Sequence, residues 1–268
     1  MCFAILVLYL CITSYMPRII HILQKELRMK KQLFLDFISK YTLGGLIETV
    51  AWESKHGKLS ARMISDHKNL VGEINYNNFD IKDFEGKKLG IFKTSRLVGM
   101  LNVCLDDIEA SLEMIGDNPV KISITDERNV KVRYALSDLV VIPSVPSIKQ
   151  VPTHFDVVAT VDSDFVNLYS KAKSALPEVE NFTVQSTDTQ ASITLGQTDT
   201  NDNVISMNFK TSSTKSVDAM QFPADLFRQV LLANKGVEGT FKVSSQGLAT
   251  IEYITDEYTA KYYLVAKK

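Results

Sequence analysis

The chain has 268 residues, a length that corresponds to about two domains of average size. Its composition, 45% hydrophobic and 23% charged, is that of an ordinary globular protein and excludes a disordered chain, a collagen-like chain and a disulfide scaffold. The net charge of -1 gives no overall positive field that would attract nucleic acid, so DNA binding would require the basic residues to be gathered on one face.

Residues 1–28 differ in composition from the rest of the chain. The run from Met1 to Met16 contains no charged residue, and Pro17 and Arg18 follow it. It is shorter than the about 20 apolar residues of a membrane-spanning helix, and it lacks the basic start and small-residue cleavage site of a signal peptide. Three interpretations stay open: an extension outside the natural domain, a membrane or export segment, and an ordered helix.

From Leu33 onward, short segments of alternating apolar and polar residues predict half-buried antiparallel strands. Clear examples are Val120–Ile124, Val130–Tyr134, Ala191–Leu195 and Val204–Phe209.

Four segments have the helical period instead. Their apolar faces are Phe34, Phe37, Ile38 and Tyr41; Leu97, Leu101 and Cys104; Phe165, Leu168, Tyr169 and Ala172; and Leu226, Phe227, Val230 and Leu231. Asp162 or Ser163 is the candidate N-cap of the third helix, and Pro223 suits the first turn of the fourth.

Three short matches indicate an internal duplication. The tetrapeptide Ile124–Glu127 recurs as Ile254–Glu257, 130 residues further on. Phe92 matches Phe222 at the same offset. The third match relates Asp36, Phe37 and Tyr41 to Asp164, Phe165 and Tyr169 at an offset of 128. We therefore expect a first domain at 29–141, a proline-containing linker at 142–152 and a second domain at 153–268.

The sequence has no phosphate-binding loop, dinucleotide-binding motif, zinc-protease motif, serine-hydrolase motif or Cys/His cluster. We accordingly expect no catalytic residues, no metal and no cofactor, and a protein that is not an enzyme.

Two β-rich repeats, each with two short helices and joined by a proline-containing linker, resemble the DNA sliding clamps, and the local match is to the T-even bacteriophage type. The segment Leu97–Leu101 followed by Asp106, Asp107 and Glu109 resembles that type, as does the closing Tyr258–Ala266.

The resemblance implies an α+β fold of two tandem clamp domains, each with antiparallel sheets and two short helices on one face, assembled into a ring around double-stranded DNA. It implies a homotrimer that acts as a processivity factor for a DNA polymerase, is loaded by a clamp loader, and works in the cytoplasm, of an infected host cell if the protein is viral. Transcription proteins are a further class of partner that the resemblance leaves open.

A ring that slides should contact phosphates through Lys and Arg rather than read bases. Candidates lie on or beside the four predicted helices: Lys40, Lys93, Arg96, Lys171, Lys173, Arg228 and Lys235. Lysines on the polar face of a surface helix are also common in any soluble protein, and that alternative remains open.

In clamps, a crevice beside the linker receives short hydrophobic peptides of partner proteins. The residues expected near it here are Val140, Val141, Ile142, Val145 and Ile148. The same apolar residues are equally consistent with a linker packed onto the domain joint.

Two other functions remain as alternatives. One is an exported or membrane-anchored β-rich structural or adhesive protein directed by residues 1–16. The other is an enzyme whose site is dispersed along the sequence.

Overall fold

The computed structural model describes residues 29–77, 79, 81–148, 151–196 and 203–267. The apolar segment 1–28, Lys149 and Gln150 of the predicted linker, and the last residue of the chain lie outside the described residues, so the interpretations of residues 1–28 remain predictions.

The elements follow the predicted alternation of strands and short helices. In the described residues the helices are α1 (Lys31–Thr42), α2 (Thr94–Leu101), α3 (Ser163–Ala175) and α4 (Ala224–Ala233). The strands are β1 (Met29–Lys30), β2 (Val50–Lys55), β3 (Lys58–Ile64), β4 (Leu70–Asn77), β5 (Lys88–Ile91), β6 (Asp107–Ile115), β7 (Asn118–Asp126), β8 (Lys131–Ala135), β9 (Val157–Val161), β10 (Asn181–Ser186), β11 (Ala191–Leu195), β12 (Ile205–Asn208), β13 (Lys210–Thr214), β14 (Val217–Pro223), β15 (Gly239–Ser244), β16 (Leu248–Ile254) and β17 (Tyr258–Val265).

The named strands form three antiparallel sheets. Two have four strands, in the orders β1-β6-β7-β8 and β12-β11-β10-β14. The third has nine strands, in the order β13-β9-β15-β16-β17-β4-β3-β2-β5, and joins the two halves of the chain where β17 pairs with β4. The predicted α+β class is confirmed.

Alternating burial explains why these segments form strands, because one face of each strand packs on the core while the other faces outward. In β11, for example, Ala191, Ile193 and Leu195 are buried and the residues between them are half-exposed. Aromatic clusters join helices to sheets in both halves: Phe37 of α1 lies 5.4 Å from Trp52 of β2, and Phe227 of α4 lies 4.6 Å from Phe182 of β10 (ring centroids).

The two halves repeat the same order of elements. Strands β1-β6-β7-β8 of the first half correspond to β9-β15-β16-β17 of the second, and β4-β3-β2-β5 correspond to β12-β11-β10-β14. The helices correspond as well, since Tyr41 of α1 and Tyr169 of α3 are both fully buried. Their hydroxyls reach the first residue of the next helix, Thr94 Oγ1 at 3.3 Å and Ala224 O at 3.2 Å.

Two of the three sequence matches do not place their residues in equivalent surroundings. Ile124 is fully buried, but Ile254 is 68% exposed; Phe222 is fully buried, but Phe92 is 44% exposed. Side chains alternate between the two faces of a strand, so a shift of one residue between matched segments reverses the face. The duplication is visible in the order of elements, whereas the domain boundaries expected at 141 and 152 stay a prediction.

Candidate nucleic-acid interface and docking pocket

The seven cations expected to face DNA fall into two groups in the structure. Lys93, Arg96, Lys171 and Lys235 are exposed, whereas Lys40 and Lys173 are buried and Arg228 is half-buried.

Lys40 does not present a free ammonium group. Its Nζ lies 3.0 Å from Asp36 Oδ1, donates to the carbonyl oxygen of Ala233 at 2.6 Å, and lies 4.7 Å from the centre of the Tyr258 ring. The end of α4 and the start of β17 cover the side of α1 on which Lys40 lies. The DNA contact expected of Lys40 would require that side to be open.

Lys173 is also enclosed, with 3% of its surface exposed. Its Nζ donates to the carbonyl oxygen of Pro177 at 2.8 Å and lies 3.2 Å from Asp225 Oδ1. Arg228 donates from Nη2 to Ser174 Oγ at 2.8 Å, while its Nε is buried without a hydrogen-bond partner among the described residues. These side chains tie α3 to α4, so Lys173 fits a structural role better than a phosphate contact.

The four exposed cations lie at or beside the helices. Lys93 immediately precedes α2, Arg96 lies in its first turn, Lys171 lies on α3, and Lys235 follows α4. Within the described part of the chain none of the four forms an ion pair with a carboxylate. Their charges are therefore available to an external anion such as a phosphate.

The five residues expected near the docking crevice fall into three groups. A 3₁₀ turn at Leu139–Val141 is capped by Asp138, whose carboxylate accepts from the Val140 amide at 3.0 Å. Val140 and Val141 point into solvent, with 89% and 58% of their surface exposed.

Ile142 and Val145 line a pocket of about 520 Å³ between the linker and the outer face of β2, β3 and β4. Ile148 is half-buried and does not line this pocket. The chain passes close to β5 just before the linker. The Ser137 amide donates to Gly90 O at 2.9 Å, and a Cβ at position 90 would lie only 2.3 Å from the Ser137 carbonyl oxygen, so this approach requires glycine there.

The sheet side of this pocket is charged. Arg62 pairs with Glu73 at 3.1 Å, and Lys88 pairs with Glu53 at 3.2 Å. Arg62 also donates from Nη2 to the carbonyl oxygen of Pro146 at 2.9 Å, which ties the linker to the sheet. Sequence reasoning missed these four residues, because they occupy ordinary outward positions of strands and nothing in their own segments shows that the linker crosses them.

Among the described residues, β8 and β12 each end a four-stranded sheet. Each has only one paired neighbour, so its other edge presents free backbone amide and carbonyl groups. In the internal joint the corresponding strands, β17 and β4, pair with each other, with Tyr258 opposite Tyr76 and Lys261 opposite Glu73.

The turn that leads into β8 is organised by Asp126, whose side chain is fully buried. Burial alone would raise the pKa of this carboxyl group. The amides of Leu105, Arg128 and Val130 and the Arg128 guanidinium all donate to it, and together they lower its pKa to about 2.

The described residues include no cluster of three or more His, Cys, Asp or Glu side chains placed to hold a metal ion. In the same part of the chain, no helix is long and apolar enough to cross a membrane.

No protein-family model matches the sequence, and no curated protein matches it. Solved structures do resemble the fold. A structure of A. fulgidus PCNA bound to the C-terminal region of FEN-1 matches with a TM-score of 0.70 and 13% identity, over 90% of this chain and 98% of that one. Proliferating cellular nuclear antigen from Entamoeba histolytica matches with a TM-score of 0.69 and 15% identity, over 90% and 97%. A PCNA2–PCNA3 complex from Sulfolobus tokodaii matches with a TM-score of 0.68 and 11% identity, over 90% and 98%. The chain therefore has the PCNA fold over nine-tenths of its length.

Proposed function

We propose that this chain is one subunit of a DNA sliding clamp, a ring that encircles double-stranded DNA and holds a replicative polymerase on it. Such a processivity factor acts as a tether and is not an enzyme. The observation that carries the proposal is the correspondence between the internal β17–β4 joint and two of the strands that end a sheet, β8 and β12. A second copy of the chain can offer β12 to β8 in the way that β4 is offered to β17.

Such a contact joins two different surfaces, so the subunits would assemble head to tail and close into a ring where the rotation permits. We propose a homotrimer, as the resemblance to two-repeat phage clamps implies. The likeness of the fold to PCNA supports the same architecture.

The internal joint also supplies the expected register of the pairing between subunits. Leu264 of β17 corresponds to Tyr134 of β8, because three residues further on the amides of Lys267 and Ser137 donate to matching strands, to Gln221 O of β14 and to Gly90 O of β5. Tyr76 at the end of β4 corresponds to Phe209, which directly follows β12.

The aromatic contacts support this second correspondence. Tyr76 lies 5.4 Å from Phe37 of α1, and Phe209 lies 5.1 Å from Phe165, the matching residue of α3. The internal pair Lys261 and Glu73 then becomes Lys131 of one subunit opposite Ser206 of the next.

A disulfide at that pair tests the proposed ring. The variant K131C/S206C should form covalently closed trimers on mild oxidation, because directly opposite Cβ atoms in an antiparallel pair are about 4.5–5.5 Å apart. The control K131C/N208C uses an exposed residue on the same face but two positions out of register, and should cross-link much less. The three single-cysteine variants measure the background from native cysteines. Equal linking of both pairs, or linking of neither, would contradict the register.

We further propose that the exposed cations Lys93, Arg96, Lys171 and Lys235, together with the partly buried Arg228, face the DNA. Their contacts would go to phosphates and would not select a sequence. Lys40 and Lys173 are not included, because both ammonium groups are already held by carboxylates and carbonyl oxygens.

The pocket under the linker is the proposed docking site for a short segment of a DNA polymerase or a clamp loader, with transcription proteins as a further class. Ile142 and Val145 would contact apolar side chains of that segment, while the Arg62–Glu73 and Lys88–Glu53 pairs would meet its polar groups. Val140 and Val141 stay candidates for a partner that covers the linker from outside.

The T-even bacteriophage type, and with it the cytoplasm of an infected host cell, is proposed on the sequence pattern alone. The residues that resemble that type lie in three places: the helix Thr94–Leu101, the start of β6 with the preceding Asp106, and β17.

A further inference from the structure

Two exposed apolar side chains lie where the first half of the chain would meet the second half of another copy. Leu168 on α3 is 50% exposed, and Val103 after α2 is 58% exposed. The correspondence between halves relates both of them to residues of the internal joint.

The first correspondence runs through the helices α1 and α3. Phe37 and Tyr41 of α1 match Phe165 and Tyr169 of α3 in burial and in aromatic contacts. Leu168, the residue before Tyr169, therefore occupies the position of Lys40, the residue before Tyr41.

The second correspondence runs through α2 and α4. Thr94, Leu97 and Leu101 match Ala224, Phe227 and Leu231, all of which are fully buried. Two residues beyond each match lie Val103 and Ala233, so Val103 occupies the position of Ala233.

At the internal joint this contact is polar, because Lys40 donates to the carbonyl oxygen of Ala233. In the first half, the carbonyl oxygen of Val103 accepts instead from Nη2 of Arg128 at 3.1 Å, a residue of the same half. The oxygen at this position is thus satisfied within the subunit and needs no donor from a neighbour. A lysine at position 168 would therefore find no free carbonyl oxygen there, whereas an apolar residue can be buried without leaving a polar group unpaired.

We infer that the subunits of the ring meet at an apolar contact on the helix side of the strand pairing, in which Leu168 of one subunit packs on Val103 of the next. The occupant of each patch is a second copy of this chain, and the inference rests on the proposed ring. Phe209 flanks the contact, because it takes the place of Tyr76 at the internal joint. In the joint within a subunit a buried lysine donates across the contact, whereas apolar side chains hold the joint between subunits.

The first test is the concentration dependence of the mass of the full chain, measured by sedimentation equilibrium. Leu168→Asp should weaken subunit association about tenfold or more at each joint, since burying a leucine side chain is strongly favourable and a buried unpaired carboxylate is not. Leu46→Asp is the matched control, because Leu46 is 47% exposed and lies outside both patches. It should associate as the wild-type chain does.

The second test asks whether positions 168 and 103 touch. Leu168→Lys and Val103→Glu should each weaken association, and the double variant should recover at least part of the affinity, because opposite charges then meet across the contact. Thermal unfolding of each variant at a concentration where it is monomeric checks that the fold is retained.

The outcomes separate this inference from the proposed function. A wild-type chain that stays monomeric at micromolar concentration would overturn the ring and the contact together. A wild-type trimer with unchanged association in Leu168→Asp, or a double variant with no recovery, would overturn the apolar contact and leave the ring standing.

Discussion

Two aspartates in the same tetrapeptide, Asp126 and Asp256, have different surroundings. Asp126 is buried and accepts hydrogen bonds from three backbone amides and from Arg128. Asp256 is exposed, and the structure uses its carbonyl oxygen, which accepts from Asn77 Nδ2 at 2.9 Å. The pair therefore separates the effect of the residue from the effect of its environment.

We expect Asp126→Asn to lower the thermal midpoint by several degrees at pH 7, because an amide cannot accept the same set of donors. The pKa of Asp126 in the folded chain is about 2, below the ~3.9 of an unfolded aspartate, so its charge contributes stability that is fully present above about pH 4. That contribution is lost as the pH falls through 2.

The difference in midpoint between wild type and Asp126→Asn should accordingly shrink between about pH 4 and pH 2 when unfolding is followed by circular dichroism. Asp256→Asn is the control and should unfold like the wild type throughout. A difference for Asp126→Asn that is constant across this pH range would show that the carboxylate is not held in its charged form.

Single residues were also where prediction from the sequence failed. A helical projection shows which side of its own helix a lysine occupies, but it cannot show what another element lays over that side. Lys40 is covered by α4 and β17, which lie more than 180 residues away along the chain, and Lys173 is enclosed by Pro177 and Asp225. The N-cap of α3 was predictable because it is local: the Asp162 carboxylate accepts from the Phe165 amide at 2.9 Å.

At the scale of elements, hydrophobic periodicity predicted the four helices and the strands quoted from the sequence, since each depends on a spacing within one segment. It could not predict which strands pair, because pairing depends on register between distant segments. The course of the linker over Glu53, Arg62, Glu73 and Lys88 was hidden for the same reason.

The helices also carry the proposed DNA contacts, and these can be tested as a group. A quadruple variant with alanine at the four exposed positions should show a weaker dependence of DNA affinity on salt concentration. The four positions are Lys93, Arg96, Lys171 and Lys235. The slope should fall by up to about one for each phosphate that the variant no longer neutralises. The measurement is DNA binding by fluorescence anisotropy over a range of salt concentrations.

A variant that removes the same number of charges away from the helices is the control. Lys55, Lys58, Lys82 and Lys215 are all exposed, and none lies at a helix. Their replacement should leave the slope close to that of the wild type. Equal effects of the two quadruple variants would mean that the helices are not the surface that meets DNA.

For the whole molecule, a net charge of -1 is compatible with DNA binding when the contact is an enclosure. A ring stays on DNA because it surrounds it, and a modest number of phosphate contacts then suffices. The sequence alone indicated this architecture through the repeated order of helices and strands and through the resemblance to sliding clamps. The correspondence between the internal joint and the free edges required the strand order and register.

Topological linkage to circular DNA tests the central claim most directly. K131C/S206C would be oxidised in the presence of nicked circular duplex DNA, washed at high salt to remove purely electrostatic binding, and separated from free protein by gel filtration. The control is the same variant oxidised before the DNA is added, because a ring that is already closed cannot enclose a circle. We expect the protein to co-elute with the circle only when it is oxidised in its presence, and to be released when the circle is cut once by a restriction enzyme. Protein that stays bound after the cut, or that is never retained on the circle, would contradict the ring.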